Sequence, residues 1–298
     1  MPYGVFHRSR SVNGPDDTLL LWIYGRTFLC SPPDWIPEPL ELEIPYSREQ
    51  SSLYSVYDDD LDCLFVLIGN GLFRFPWGSL EADSILLLGR PFSNRDYSWG
   101  LIQGGDRSIL LAGVGESLFL LDAGRMEVLD SLDLSFTASN LIWCRSSSAA
   151  YVKDLHSDSI RVVSVPDGNL ELIHILRAGV SLDHLGFAGD TLLGGKGGTL
   201  YYLDPLNGQA SILWDAPSGD RQAYEWVFPY QWGHYAYRVD WEAEQLNLID
   251  ISSMSIVGSS SITLLKCFDL LIQFTSRQDG FIYHSPAGGL FRLVPSGR

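Results

Sequence analysis

Asp58, Asp60 and Asp62 stand at positions 1, 3 and 5 of what would be an oxygen-rich calcium loop. The pattern then fails. The glycine such a loop needs next is Cys63, the bidentate acid expected at its twelfth position is Gly69, and no helix is predicted on either flank. A solvated hairpin turn is the simpler reading. Gly194-Gly195-Lys196-Gly197-Gly198 has the glycine density and the lysine of a phosphate cradle. Asp190, however, occupies the first glycine position of a P-loop, Gly197 follows the lysine, and the flanks are strand-like. This stretch reads as a flexible hairpin. His7, His156, His174, His184, His234 and His284 show no His-x-His or His-Glu-x-x-His spacing, so no metal centre is predicted. There is no Gly-x-Ser-x-Gly elbow for a serine nucleophile, and no Ser-x-Asp-x-Gly-x-Thr-Trp box. Carboxylates from distant segments could still meet for acid–base work, but an acidic chain forms such pairs by chance.

Charge is the strongest bulk property. Lys plus Arg is 20 and Asp plus Glu is 36, for a net charge of −16 and a pI near 4.6. Such a surface repels nucleic acid and anionic membranes. It favours a basic protein or a cationic ligand, with solubility alone as the plain alternative. Hydrophobic residues make up 46% and charged residues 19%, which is core material for an ordered chain. Thr18-Leu19-Leu20-Leu21-Trp22-Ile23-Tyr24 is apolar but short, and Asp16-Asp17 stand where a targeting signal would be basic. Nothing approaches the roughly 20 apolar residues of a membrane span. Cys30, Cys63, Cys144 and Cys267 are far apart and mostly in apolar runs, which predicts buried free thiols and a cytoplasmic location.

The elements that must position any site come from a repeated phrase. Leu200-Tyr201-Tyr202-Leu203-Asp204-Pro205-Leu206-Asn207-Gly208 is a short apolar strand ended by a turn. It recurs at Leu72, Leu118, Leu246 and Leu290, and more weakly at Thr27 and Ile160. The steps between these anchors are 45, 46, 42, 40, 46 and 44 residues. A period in the low forties carried by strands marks a β-propeller of four-stranded blades. The second unit shows the plan: a strand at 52–57, a polar turn at 58–62, a strand at 63–68, a hairpin at Gly69-Asn70-Gly71, the anchor, then a strand at 84–88. In the fifth unit the turn is expected at 194–198. The fourth anchor position is apolar in all seven copies, and strands apolar on both faces must be covered on both. No sustained i, i+3, i+4 pattern argues for helices. The predicted fold is all-β: a single propeller domain over residues 1–298, with seven four-stranded blades and a period of about 44. The seventh blade lacks an outer strand. Tyr3-Gly4-Val5-Phe6-His7 would either supply it or form the inner strand of the first blade.

Asp204-Pro205-Leu206-Asn207-Gly208 followed by Trp214 resembles the Asp-x-x-Thr-Gly-x-x-x-Trp signature of quinoprotein repeats, with Asn for Thr and two extra residues before the Trp. The units as a whole resemble quinoprotein and tryptophan–aspartate-repeat propellers. That resemblance implies a geometry. The inter-blade loops and the hairpins between second and third strands share the face that usually binds. On that face belong Ser47-Arg48-Glu49, Asn94-Arg95-Asp96-Tyr97, Asp220-Arg221-Gln222-Ala223-Tyr224, the Asp154–Ser159 hairpin, Lys196 and Asp240-Trp241-Glu242-Ala243-Glu244. The aromatic run Tyr224, Trp226, Phe228, Tyr230, Trp232, Tyr235, Tyr237, Trp241 reads mostly as core, with Tyr224 and Trp241 as loop anchors.

The resulting functional expectation is a non-enzymatic, monomeric propeller whose acidic face binds a basic protein, in a sharper form an inhibitor or immunity protein masking a basic enzyme or toxin. The expected contacts are Arg95, Asp96, Tyr97, Asp220, Arg221, Tyr224, Asp240, Trp241, Glu242 and Glu244, with no metal, cofactor, nucleic acid or membrane. The alternative is a hydrolase or lactonase with its active site in the central channel, built from carboxylates with or without a metal. A carbohydrate-binding propeller would repeat aromatic-and-Asp pockets in register, and the aromatics here do not.

Overall fold

A computed structural model describes residues 9–23, 26–31, 38–40, 42, 53–89, 98–104, 109–215, 224–228, 234–240, 243–261, 271–274, 281–285 and 289–293. Among these residues there is no α-helix. The strands form seven antiparallel sheets of consecutive strands, six with four strands and the last with three. The first runs from Ser9–Asn13 to Glu38–Leu40, the second from Leu53–Asp58 to Ser84–Leu87, and the third from Ser98–Gln103 to Glu127–Asp133. The fourth runs from Ala138–Cys144 to Glu171–Arg177, the fifth from His184–Ala188 to Ala210–Trp214, and the sixth from Tyr224–Val227 to Ser255–Ser261. The seventh holds Leu271–Phe274, Phe281–Ser285 and Gly289–Leu293. Every anchor lies in the third strand of its sheet.

The two-sided apolar strands explain how the sheets stack. In Cys63–Ile68 all six residues are buried. Phe65 and Leu67 face a core shared with Leu110, Ala112 and Leu121 of the third sheet, whereas Leu64 and Val66 face one shared with Leu20 of the first. Further cores lie between the third and fourth, fourth and fifth, and fifth and sixth sheets. Each large apolar side chain removed from water in these seams contributes about 1.5–3 kcal/mol before chain entropy is counted. Inner strands of successive sheets lie against one another from first to sixth, and Ser9–Asn13 also lies against Leu271–Phe274. The row of sheets therefore turns back on itself. The inner strand of the first sheet begins at Ser9, after the Tyr3–His7 segment, which lies outside the described residues.

Two departures from the sequence expectation have physical causes. Gly194 and Gly195 belong to the strand Thr191–Lys196, and only Gly197-Gly198 turn. A Cβ at Gly194 would come within 2.5 Å of Leu182, and one at Gly195 within 2.7 Å of Trp226, so these glycines serve close packing. The outer strands also carry a repeated bulge. Leu129, Ile173, Leu213 and Val257, 44, 40 and 44 residues apart, are each skipped in the pairing with the anchor strand. An extra residue flips the alternation of faces, which blurs any period-2 pattern and blunts the outer edge of the sheet.

Candidate functional site

A four-stranded meander puts its first and third turns at one end and its second turn, with the link to the next sheet, at the other. The molecule thus has two rims. On the first lie the 1→2 and 3→4 turns, including the Asp58–Cys63 turn, Trp77–Asp83 and Ala123–Met126. On the second lie the 2→3 hairpins, including Leu155–Asp158 and Gly197-Gly198, and links such as 178–183.

Many of the acids on both rims hold turns together. Asp122 and Asp250 end third strands, Asp204 directly follows one, and they accept backbone N–H bonds from Arg125, Ser252 and Leu206 respectively. Asp154 and Asp240 do the same in 2→3 turns for His156 and Ala243. The Asp-Pro-x-Asn-Gly phrase is one of these side-chain-capped turns: Asp204 also takes a bond from the Asn207 amide, and Gly208 adopts φ +82°.

The triple-aspartate turn is organised differently. Asp58 is fully buried, which corrects its expected place in a solvated turn. One of its carboxylate oxygens accepts the N–H groups of Asp60 and Leu61, each at 3.0 Å, and the other accepts Gln103 Nε2 of the third sheet at 3.1 Å. Asp58, Asp59 and Asp60 each bring an oxygen within 4.8 Å of the others. Because Asp58 is committed to three donors, the grouping falls short of the 6–8 oxygens calcium takes. What it presents outward is charge. Asp59, Asp60, Leu61 and Asp62 are all exposed, and Leu80 and Glu81 are exposed on the neighbouring 3→4 turn. Tyr57 stacks edge-on against Trp77 at 5.0 Å and donates its hydroxyl to Asp62 at 2.7 Å. Burial and that carboxylate push its phenol up. Arg74 braces the same rim. It forms a two-pronged pair with Asp83 at 2.8 and 3.1 Å and donates to the Gly124 carbonyl of the third sheet at 2.7 Å.

Of the contacts expected from sequence, Arg95, Asp96, Tyr97, Asp220, Arg221, Trp241 and Glu242 lie outside the described residues, as do Ser47-Arg48-Glu49. Asp154–Ser159 and the exposed Lys196 are on the second rim as expected. Tyr224 corrects its assignment to a loop. It opens the inner strand Tyr224–Val227 and pairs directly with Asp240, in keeping with the preference of tyrosine for strands. Asp240 spends its carboxylate on the turn, and Glu244 is exposed at φ +49°. Trp226 and Tyr237 are core, 2% and 1% exposed. Cys30, Cys63 and Cys144 are buried free thiols, and burial pushes Cys30 up to about 11.

Sequence reasoning missed a buried charge among the described residues. Lys153 is 4% exposed at the second-rim end of the seam between the fourth and fifth sheets. It donates to Ser139 Oγ at 3.2 Å and to the Asp154 carbonyl at 3.0 Å. Burial pulls its ammonium below the usual lysine range, opposed by the charges of Asp183 and Asp154. His184, at the head of the next inner strand, is pulled down by burial and by Lys153. Below them Tyr151 and Phe187 meet edge-on at 5.3 Å. The one sequence signal was a lysine ending the otherwise apolar run Ala149-Ala150-Tyr151-Val152, on the same strand face as Tyr151.

No family model and no curated protein matches this chain. Solved structures do. Virginiamycin B lyase from Staphylococcus aureus aligns over 98% of this chain and 96% of its own, with 11% identity and a TM-score of 0.73. The Pan2 WD40 domain of Neurospora crassa aligns over 100% and 93%, with 11% identity and a TM-score of 0.69. The Cps50 (Swd1) β-propeller domain of Myceliophteria thermophila aligns over 80% and 82%, with 14% identity and a TM-score of 0.61. The fold is therefore a β-propeller, as the repeats implied, and its four-stranded antiparallel sheets fit blades of that fold. At these identities the likeness defines the fold alone, because one scaffold hosts many functions. Among the described residues no helix is long and apolar enough to cross a membrane.

Proposed function

We propose that this chain is a protein-binding propeller of seven blades, a single monomeric domain over residues 1–298, that captures a basic protein on its acidic surface. The observation that carries the reading is on the first rim. Asp59, Asp60, Leu61 and Asp62 are exposed on one turn and Leu80 and Glu81 on another turn of the same sheet, and the half-buried Trp77 ties the two turns by donating its backbone N–H to the Asp62 carbonyl. Carboxylates that pair with Arg or Lys, set around apolar anchors, suit a basic surface carrying one apolar side chain. The net charge of −16 supplies long-range attraction, which speeds encounter. Arg95, Asp96, Tyr97, Asp220, Arg221, Tyr224, Asp240, Trp241, Glu242 and Glu244 are a second contact set in the same proposal. In its sharpest form the protein is an inhibitor or immunity protein that masks a basic enzyme or toxin. Buried free thiols support work in a reducing compartment such as the cytoplasm.

The test is an affinity capture from the native host with wild-type protein and with Asp59→Asn/Asp60→Asn/Asp62→Asn in parallel, at low and moderate salt. The reading expects a basic protein on the wild type that elutes as salt rises and is depleted on the variant. Equal retention on both would move the contact off this rim. Retention that ignores salt would remove the electrostatic account.

A further inference from the structure

We propose that Ser139 and Lys153 form a nucleophile–base pair able to open a carboxylic ester or lactone, an activity separate from partner capture and on the opposite rim. Ser139 sits at a bulge in the inner strand Ala138–Cys144, where the pairing steps from Ala138↔Asp154 to Asn140↔Lys153 and skips it. Bulges of this kind re-aim a side chain. Here the hydroxyl comes to 3.2 Å from Lys153 Nζ, while Ser139 stays partly exposed and Lys153 is buried. A serine reachable from solvent with its base held dry behind it is the arrangement that activates a hydroxyl. The charged or titratable groups around Lys153 are Asp154 and Tyr151 on its own strand and Asp183 and His184 on the fifth sheet. Burial favours its neutral amine, the form a base needs. Asn140 stands directly opposite Lys153, and its Oδ1 is buried with no hydrogen-bond partner. Turned over, that amide offers an N–H toward a developing oxyanion.

The reaction balances with these groups alone. Neutral Lys153 takes the hydroxyl proton as Ser139 Oγ bonds to the carbonyl carbon. The alkoxide leaves with the proton from the Lys153 ammonium. Water, losing a proton to Lys153, then attacks the acyl carbon, the acid departs and Ser139 recovers its hydrogen. A fluorophosphonate probe would stop after the first step, its phosphorus bonded to Oγ and fluoride lost.

The experiment treats folded protein with a fluorophosphonate and follows the adduct by intact mass and peptide mapping, with p-nitrophenyl acetate as turnover substrate. Expected is a single adduct at Ser139, absent in Ser139→Ala. Its rate should rise with pH, level off below the usual lysine range, and fall about 100-fold or more in Lys153→Met. Lys153→Arg, which keeps a positive charge but is no base, should be as slow as Lys153→Met. No adduct at Ser139 on wild type, or labelling in Lys153→Met within a few-fold of wild type, overturns the proposal. Thermal melts accompany each variant. If Lys153→Met fails to fold, the pH profile of the wild type decides: a flat rate rejects the lysine.

Discussion

Two places crowd charge together, the Asp58–Asp62 turn on one rim and the Lys153 seam on the other, and they treat it oppositely. In the turn, one carboxylate is withdrawn into the protein and given three donors, which fixes the loop and leaves Asp59, Asp60 and Asp62 facing water. In the seam, a cation is withdrawn among cores with only a hydroxyl and a carbonyl as acceptors, and its ionisation moves. Satisfied burial makes scaffolding, exposed charge makes attraction, and under-compensated burial makes reactivity. The rim that carries the solvated acids of this turn is therefore the one to expect a partner on, and the rim with a dry lysine is the one to expect chemistry on.

The largest stability effect that would separate these roles is expected at Asp58. Asp58→Ala removes a buried acceptor that three donors share and should cost about 2–4 kcal/mol in urea unfolding. A cost under about 1 kcal/mol would mean the turn holds without it. Arg74→Ala comes next, at about 1–2 kcal/mol, through loss of the Asp83 pair and the Gly124 bond. Hydrogen bonding to Arg74 holds the Asp83 carboxyl below its ordinary value. That pair therefore stabilises at neutral pH and is lost as pH falls through the lowered folded value, so Arg74→Ala should flatten this part of the acid limb. An unchanged limb would show the pair contributes nothing.

Lys153→Met should be neutral or stabilising at pH 7, because it replaces a poorly compensated buried cation with an apolar chain of similar size. The folded pKa of Lys153 lies below its unfolded value of about 10.4. Wild type should thus gain stability relative to the variant as pH rises from the folded value toward the unfolded one. Parallel stability curves between pH 7 and 10 would argue that Lys153 is not penalised by burial. The smallest effect is expected for Asp59→Asn/Asp60→Asn/Asp62→Asn, within about 0.5 kcal/mol of wild type, since exposed substitutions away from caps rarely cost more. A large loss there would make these acids structural and sink the division within the turn.

Much of the fold was legible because a repeat states its own architecture several times over. The anchor strands, the 69–71 hairpin and the apolar faces of Cys63–Ile68 follow from composition and turn chemistry that each unit carries locally. The bulges at Leu129, Ile173, Leu213 and Val257 were hidden because a skipped residue leaves no mark except a broken alternation. The sites were less legible, because both depend on what lies across a seam. Asp58 looks like its neighbours until Gln103 arrives from the third sheet. Lys153 looks like any strand-end lysine until Asp183 and His184 close over it from the fifth. Such pairings are set by how one sheet stacks on the next, and no local pattern encodes them.

The central claim, that the solvated acids of the first rim attract a basic partner, is tested most directly by stopped-flow association of the captured partner with wild type and with Asp59→Asn/Asp60→Asn/Asp62→Asn across ionic strength. The account predicts a rate about ten-fold or more lower for the variant at low salt, with the two converging as salt screens the field. Equal rates at every salt concentration would contradict it.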